Sequence, residues 1–116
     1  MQRDARKYLF DISDSCQAVV DYTRDVTFNE YANDRRIRSA VEREFIIIGE
    51  ALNQLRRLDA AYEDRLPEIH QIINFRHVLV HGYDVVQHEV VWQIIQAAVV
   101  PLKTCVDTLL TDLADG

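Results

Sequence analysis

The chain has 116 residues, room for one hydrophobic core and too few for two. With 48% hydrophobic residues but only 3 Gly and 2 Pro, the composition excludes a disordered or loop-rich protein, and no apolar run approaches the roughly 18 residues of a membrane span. A formal net charge of −6 sets aside any global attraction to nucleic acid, because such affinity comes from Lys and Arg neutralising phosphates.

The start, Met1-Gln2-Arg3-Asp4, carries no signal-peptide pattern, so a soluble, cytoplasmic protein without a membrane partner is expected. Over residues 4–26, Leu9, Ile12, Cys16, Val19, Val20, Thr23 and Val26 recur at spacings of three and four, which predicts an amphipathic helix. Thr27-Phe28-Asn29-Glu30 reads as a capping box opening a short turn, and Asn33 or Asp34 can cap a second long helix ending near residue 58. The core face of that helix is expected at Ile37, Val41, Phe45, Ile48, Leu52 and Leu55. Its centre, Phe45-Ile46-Ile47-Ile48, is apolar on every side, so something must cover a second face. Gly49 follows at a cost of about 1 kcal/mol against alanine, and such a glycine marks the close approach of another backbone.

Pro67 suits the first residue of a third helix, with Ile69, Ile72, Ile73 and Val80 inward and Gly82 as a left-handed cap. Asp84-Val85-Val86-Gln87 satisfies another capping box. It predicts a last helix to about residue 113 with Val91, Ile94, Ile95, Ala98, Leu102, Cys105 or Val106, and Leu109 on its face. Pro101 should kink that helix and not end it, because the apolar period resumes afterwards. The prediction is an all-α, antiparallel four-helix up-down bundle, a single domain over residues 1–116. Cys16 and Cys105 fall on core positions outside any C-x-x-C arrangement and read as reduced, buried thiols.

The densest chemistry lies in Phe75-Arg76-His77-Val78-Leu79-Val80-His81-Gly82-Tyr83-Asp84. Arginine offers phosphate a permanently charged fork, and imidazole, with an unperturbed pKa of about 6.5, both takes and gives a proton near neutrality. This combination can do phosphate chemistry without a metal. Alone, Arg76 and His81 would more often be a capping or salt-bridging pair. On a straight helix their spacing turns them about 140° apart, so convergence needs unwinding at His81-Gly82 or a second copy of the motif. His77 and His81 have the spacing of paired metal ligands, but Arg76 sets a fixed charge beside any ion and a third ligand would have to come from His88 or Asp84; no metal is expected. His70 reads as a surface or satisfied histidine.

Arg76, His81 and Tyr83 form an R-x4-H-x-Y pattern that resembles the signature of the HEPN superfamily. With Gly82-Tyr83, it is similar to that of the HepT-type toxins of prokaryotic toxin-antitoxin pairs. Asp34-Arg35-Arg36-Ile37-Arg38-Ser39-Ala40-Val41-Glu42-Arg43-Glu44-Phe45, running into Ile48-Gly49-Glu50-Ala51-Leu52, resembles the family's second helix, and Val91-Trp92 and Pro101-Leu102 its final one. One position departs from the family, since His77 stands where HepT proteins usually carry asparagine.

The resemblance implies metal-independent, cofactor-free cleavage of RNA, in which a ribose 2′-hydroxyl attacks the adjacent phosphorus to leave a cyclic phosphate. Carried onto this chain, His81 moves protons and Arg76 stabilises phosphoryl charge. His77 adds a second proton-transfer group or holds the phosphate, and Glu50 either orients Arg76 or is a solvated carboxylate. The resemblance also implies a partner, an MNT-type nucleotidyltransferase antitoxin that adenylylates the tyrosine matched by Tyr83. Two rivals stay open: a noncatalytic helical module that binds the nucleotidyltransferase or a nucleotide, and a metal-binding bundle. Despite the acidic total, Arg35, Arg36, Arg38 and Arg43 can line a local cleft for RNA. The surplus isoleucines and the divergence of Arg76 from His81 together predict a homodimer with a shared cleft, and higher oligomers with the antitoxin remain open.

Overall fold

Two capping residues, Thr27 and Asp34, settle how the first half of the chain turns. The Thr27 hydroxyl accepts from the Glu30 amide at 3.1 Å and the Glu30 carboxylate accepts from the Thr27 amide at 3.1 Å, the reciprocal pair expected from the sequence. That box opens a short helix. Asp34 accepts from the amides of Arg36 and Ile37, so it, and not Asn33, caps the long helix that follows. Arg38 ties the junction by donating to the Ala32 carbonyl at 2.7 Å.

In the computed structural model, which describes residues 2–66 and 68–115, the chain is all-α. Its helices are α1 (Gln2–Tyr22), α2 (Phe28–Asn33), α3 (Arg35–Leu58), α4 (Tyr62–Arg65), α5 (Ile69–His81) and α6 (His88–Asp115), with a 3-10 turn at Tyr83–Val85. Helix α5 packs against α3, α3 against α1, and α1 against α6. The longest dimension, 45 Å, is about the rise of the 28-residue α6.

The core confirms the predicted faces with small corrections. Leu9, Ile12, Cys16 and Val19 of α1 meet Val41, Phe45, Ile48, Leu52 and Leu55 of α3, and Ile69, Ile72, Phe75 and Leu79 of α5 close over them. From α6, Val106 and not Cys105 takes the buried position, with Val99 added to the expected set. Ile37 and Ile73 are half-buried, and Val80 is exposed. Both cysteines are free, and burial pushes the Cys16 thiol up to about 12, against the opposing charge of Lys103. By length and composition α6 is long and apolar enough to cross a membrane, which the sequence reading did not anticipate, yet seven of its residues are buried among the other helices.

Five local features differ from expectation. Helix α1 stops at Tyr22 because the chain turns at Asp25, where φ is 57°. Helix α4, one turn without a side-chain cap, was not expected, since four residues carry no period. The expected start at Pro67 lies outside the described residues; α5 begins at Ile69, entered through Glu68 at φ 64°. Gly82 is not left-handed: its φ is −134°, and its amide donates to the Val78 carbonyl at 2.7 Å as the chain passes into the 3-10 turn. That turn absorbs Asp84, so the second capping box does not form and α6 begins at His88, with the Val90 and Val91 amides donating to the Gln87 carbonyl. Pro101 sits inside α6, exposed, with the helix continuing through it.

Candidate functional site

Helix α5 has two sides. Phe75 and Leu79 anchor it on α3, where Phe45 and Phe75 meet edge to face with ring centroids 5.3 Å apart, a pairing worth about 0.5–1.5 kcal/mol beyond burial. Arg76 borders that packed side. His77 and His81 lie on the open side, both exposed, with ring centroids 4.6 Å apart.

Gly49 is the seat of Arg76. A Cβ on Gly49 would meet the Cγ of Arg76 at 2.9 Å and its Cδ at 3.2 Å, so α3 must be bare at this turn for the arginine stem to cross it. The sequence reading expected a close approach at Gly49. The atoms met first are those of the Arg76 stem, beginning at its Cβ, so α5 comes close to α3 at this glycine.

One residue further on, the Glu50 carboxylate holds Arg76 Nη2 at 2.9 Å, while its other oxygen accepts from Gln54 Nε2 at 3.0 Å. With both oxygens engaged, Glu50 has the contacts of an orienting group. The Arg76 side chain is 28% exposed, and its Nε is buried without a hydrogen-bond partner among the described residues. A buried donor left unmade costs about 1–3 kcal/mol.

Helix α5 runs unbroken through His81, so the motif does not unwind and Arg76 and His81 face different sides of one chain. Tyr83 stands 76% exposed in the 3-10 turn immediately after them. A Cβ on Gly82 would meet only ordinary contacts at 3.5 Å, so this glycine is not sterically required.

Of the four arginines read as a cluster, Arg38 is committed to the Ala32 carbonyl and Arg36 lies 3.6 Å from Asp34. Arg43 instead lines a groove of about 290 Å³ together with Arg76 and Glu50. Lys7 and Tyr8 of α1 reach the same groove. No sequence signal marked them, since their nearness to Arg76 is set by how α1 packs on α3. Gln54 was legible in principle, four residues after Glu50. His70 is exposed, 3.8 Å from Glu63.

Comparison with known proteins gives a consistent result. Residues 12–109 match the family described as Ribonuclease HepT-like. A Methanocaldococcus jannaschii protein named "Putative RNase MJ1380" is 31% identical over 104 residues, covering 88% of this chain and 93% of its own. A Thermococcus cleftensis protein named "Probable ribonuclease HepT" is 30% identical over 109 residues, covering 89% of this chain and 93% of its own. No solved structure matches the chain.

Proposed function

Because this chain belongs to the HepT-like ribonuclease family, we propose that it is a metal-independent endoribonuclease acting through Arg76 and His81, the toxin of a toxin-antitoxin pair in the cytoplasm. One observation carries the reading: an arginine seated on Gly49 and held by Glu50, next in sequence to His77, whose ring lies beside that of His81 at an open helix end.

The chemistry needs no group beyond these side chains. One imidazole takes the proton of the ribose 2′-hydroxyl as its oxygen attacks phosphorus. The bond to the 5′-oxygen breaks, and a second imidazole returns a proton to that leaving oxygen. The products are a 2′,3′-cyclic phosphate and a 5′-hydroxyl. Charge growing on the non-bridging oxygens falls to Arg76, whose fork is rigid and always cationic. His81 is one proton carrier. His77, with its ring beside that of His81, is the second or holds the phosphate.

Arg76 and His81 diverge on one helix, so the working site is assigned to a homodimer in which two motifs share a cleft. The half-exposed Ile46 and Ile47 of α3 supply apolar surface for that contact. The exposed Tyr83 hydroxyl is assigned as the site where an MNT-type nucleotidyltransferase adds adenylate. The added phosphate would repel an RNA backbone from the adjacent His81 and Arg76. Expression of the chain in cells tests the pair: growth should stop with the wild type and continue with His81→Ala, and co-expression of the cognate nucleotidyltransferase should relieve the arrest. Equal arrest by wild type and variant would overturn the reading.

A further inference from the structure

We propose that the groove between α1, α3 and α5, on the Arg76 side of α5, binds RNA backbone phosphates flanking the cut, with Arg43 and Lys7 as the residues that hold them. This rests on the ribonuclease reading above and extends it from the reacting phosphate to its neighbours.

The argument is one of charge left over. On a chain of net charge −6, the groove gathers the cations Lys7, Arg43 and Arg76 against the carboxylates Asp11 and Glu50. Both carboxylates are spent, Asp11 on Lys7 at 2.9 Å and Glu50 on Arg76 at 2.9 Å. Arg43 is exposed and forms no ion pair within 4.0 Å among the described residues, so the groove keeps a net positive charge that the rest of the surface opposes. A concave cationic strip on an acidic protein concentrates anions locally where the total charge would repel them.

Shape agrees with charge. Tyr8 and Ala51 give the groove an aromatic and apolar face that suits ribose and bases, with the cations beside it. Arg43 precedes Glu50, the holder of Arg76, by two helical turns, about 10 Å along α3. The two guanidiniums therefore meet different phosphates of one strand, Arg76 the reacting one and Arg43 a neighbour.

The test uses the full chain carrying His81→Ala, so that RNA stays intact, and a fluorescent single-stranded 12-mer RNA titrated at several salt concentrations. Adding Arg43→Gln should weaken binding about fivefold at 0.1 M salt and lower the slope of log affinity against log salt by about 0.7, as expected when one fewer phosphate is neutralised. Lys7→Gln should act in the same direction and Asp11→Asn in the opposite one, since it releases Lys7. Arg57→Gln, at an exposed position near the end of α3, should change neither. Binding with an unchanged slope in Arg43→Gln overturns the phosphate subsite and leaves the ribonuclease reading standing, whereas no RNA binding by the His81→Ala parent overturns that reading itself. A change of oligomeric state in Arg43→Gln, by light scattering, with the slope unaltered would make the groove an interface between copies and also overturn the proposal.

Discussion

Gly49 and Arg76 occupy complementary space, the glycine leaving bare backbone where the arginine stem crosses α3, with its Cγ 2.9 Å from where a Cβ would stand. The residue that weakens the helix is therefore the one that admits the candidate catalytic group. Phe45, one turn earlier on α3, grips Phe75, the neighbour of Arg76, so the crossing is fixed from both sides.

Gly49→Ala sets two effects against each other. Alanine favours the helix by about 1 kcal/mol, while overpacking a fitted contact costs about 1–3 kcal/mol. The contact begins at the Arg76 Cβ, which cannot swing away as a flexible tip can, so overpacking should win. The variant should be less stable by about 1 kcal/mol and lose on the order of a hundredfold in cleavage rate, since a 1 Å displacement of a catalytic group is enough for that. Urea melts and single-turnover rates measure both; a variant more stable than wild type and equally active contradicts the seat.

Tyr83→Phe keeps the ring and removes the acceptor oxygen. Incubated with the cognate nucleotidyltransferase and ATP, the wild type should gain mass in adenylate steps and the variant should gain none. Modification of the variant at the wild-type level would place the acceptor elsewhere.

Ile46→Glu or Ile47→Glu puts a charge where the proposed twofold contact buries apolar surface. The change at whichever of the two is the outer position should give a monomer or an aggregate with little nuclease activity, because obligate interfaces couple assembly to folding. Light scattering at assay concentration measures this, and a folded, fully active monomer would leave Arg76 and His81 to act within one chain.

The buried Cys16 thiol gives a pH dependence with a definite sign. Its value in the fold is raised from 9.0 to about 12, chiefly by burial, so the folded state holds this proton more tightly than the unfolded one. The associated stability is intact below pH 9.0 and is lost as pH climbs towards 12, at about 1.4 kcal/mol per pH unit. Urea midpoints between pH 7 and 11 should fall more steeply for wild type than for Cys16→Ala. Parallel curves would show that the thiol does not titrate as its burial requires.

Much of this architecture is legible in the chain because local rules act alone there. The apolar stripes of α1, α3 and α6 appear at the expected residues, and the Thr27-Glu30 box forms as written. The misses occur where two local rules compete. Gly82 suits a left-handed cap, but its amide is taken by the Val78 carbonyl and the chain tightens into a 3-10 turn, which also consumes Asp84 of the second box. At the candidate site, the R-x4-H-x-Y spacing and the anomaly of Gly49 are both visible in one dimension. That the two belong together is not, because the contact joins residues on different helices. The same holds for Lys7, brought beside Arg76 only when α1 packs on α3.

Cleavage of RNA in the presence of a chelator tests the central claim most directly. Purified wild type incubated with total cellular RNA and EDTA should produce fragments ending in 2′,3′-cyclic phosphate. His81→Ala should produce none while melting like the wild type, since His81 is exposed, and Arg76→Ala should produce none while still folded, at a cost in stability from the lost stem contact with Gly49 and ion pair with Glu50. Arg76→Lys should stay impaired, because an ammonium restores the charge but not the fork. Equal cleavage by wild type and both alanine variants, or activity that chelator abolishes and zinc restores, would contradict the account.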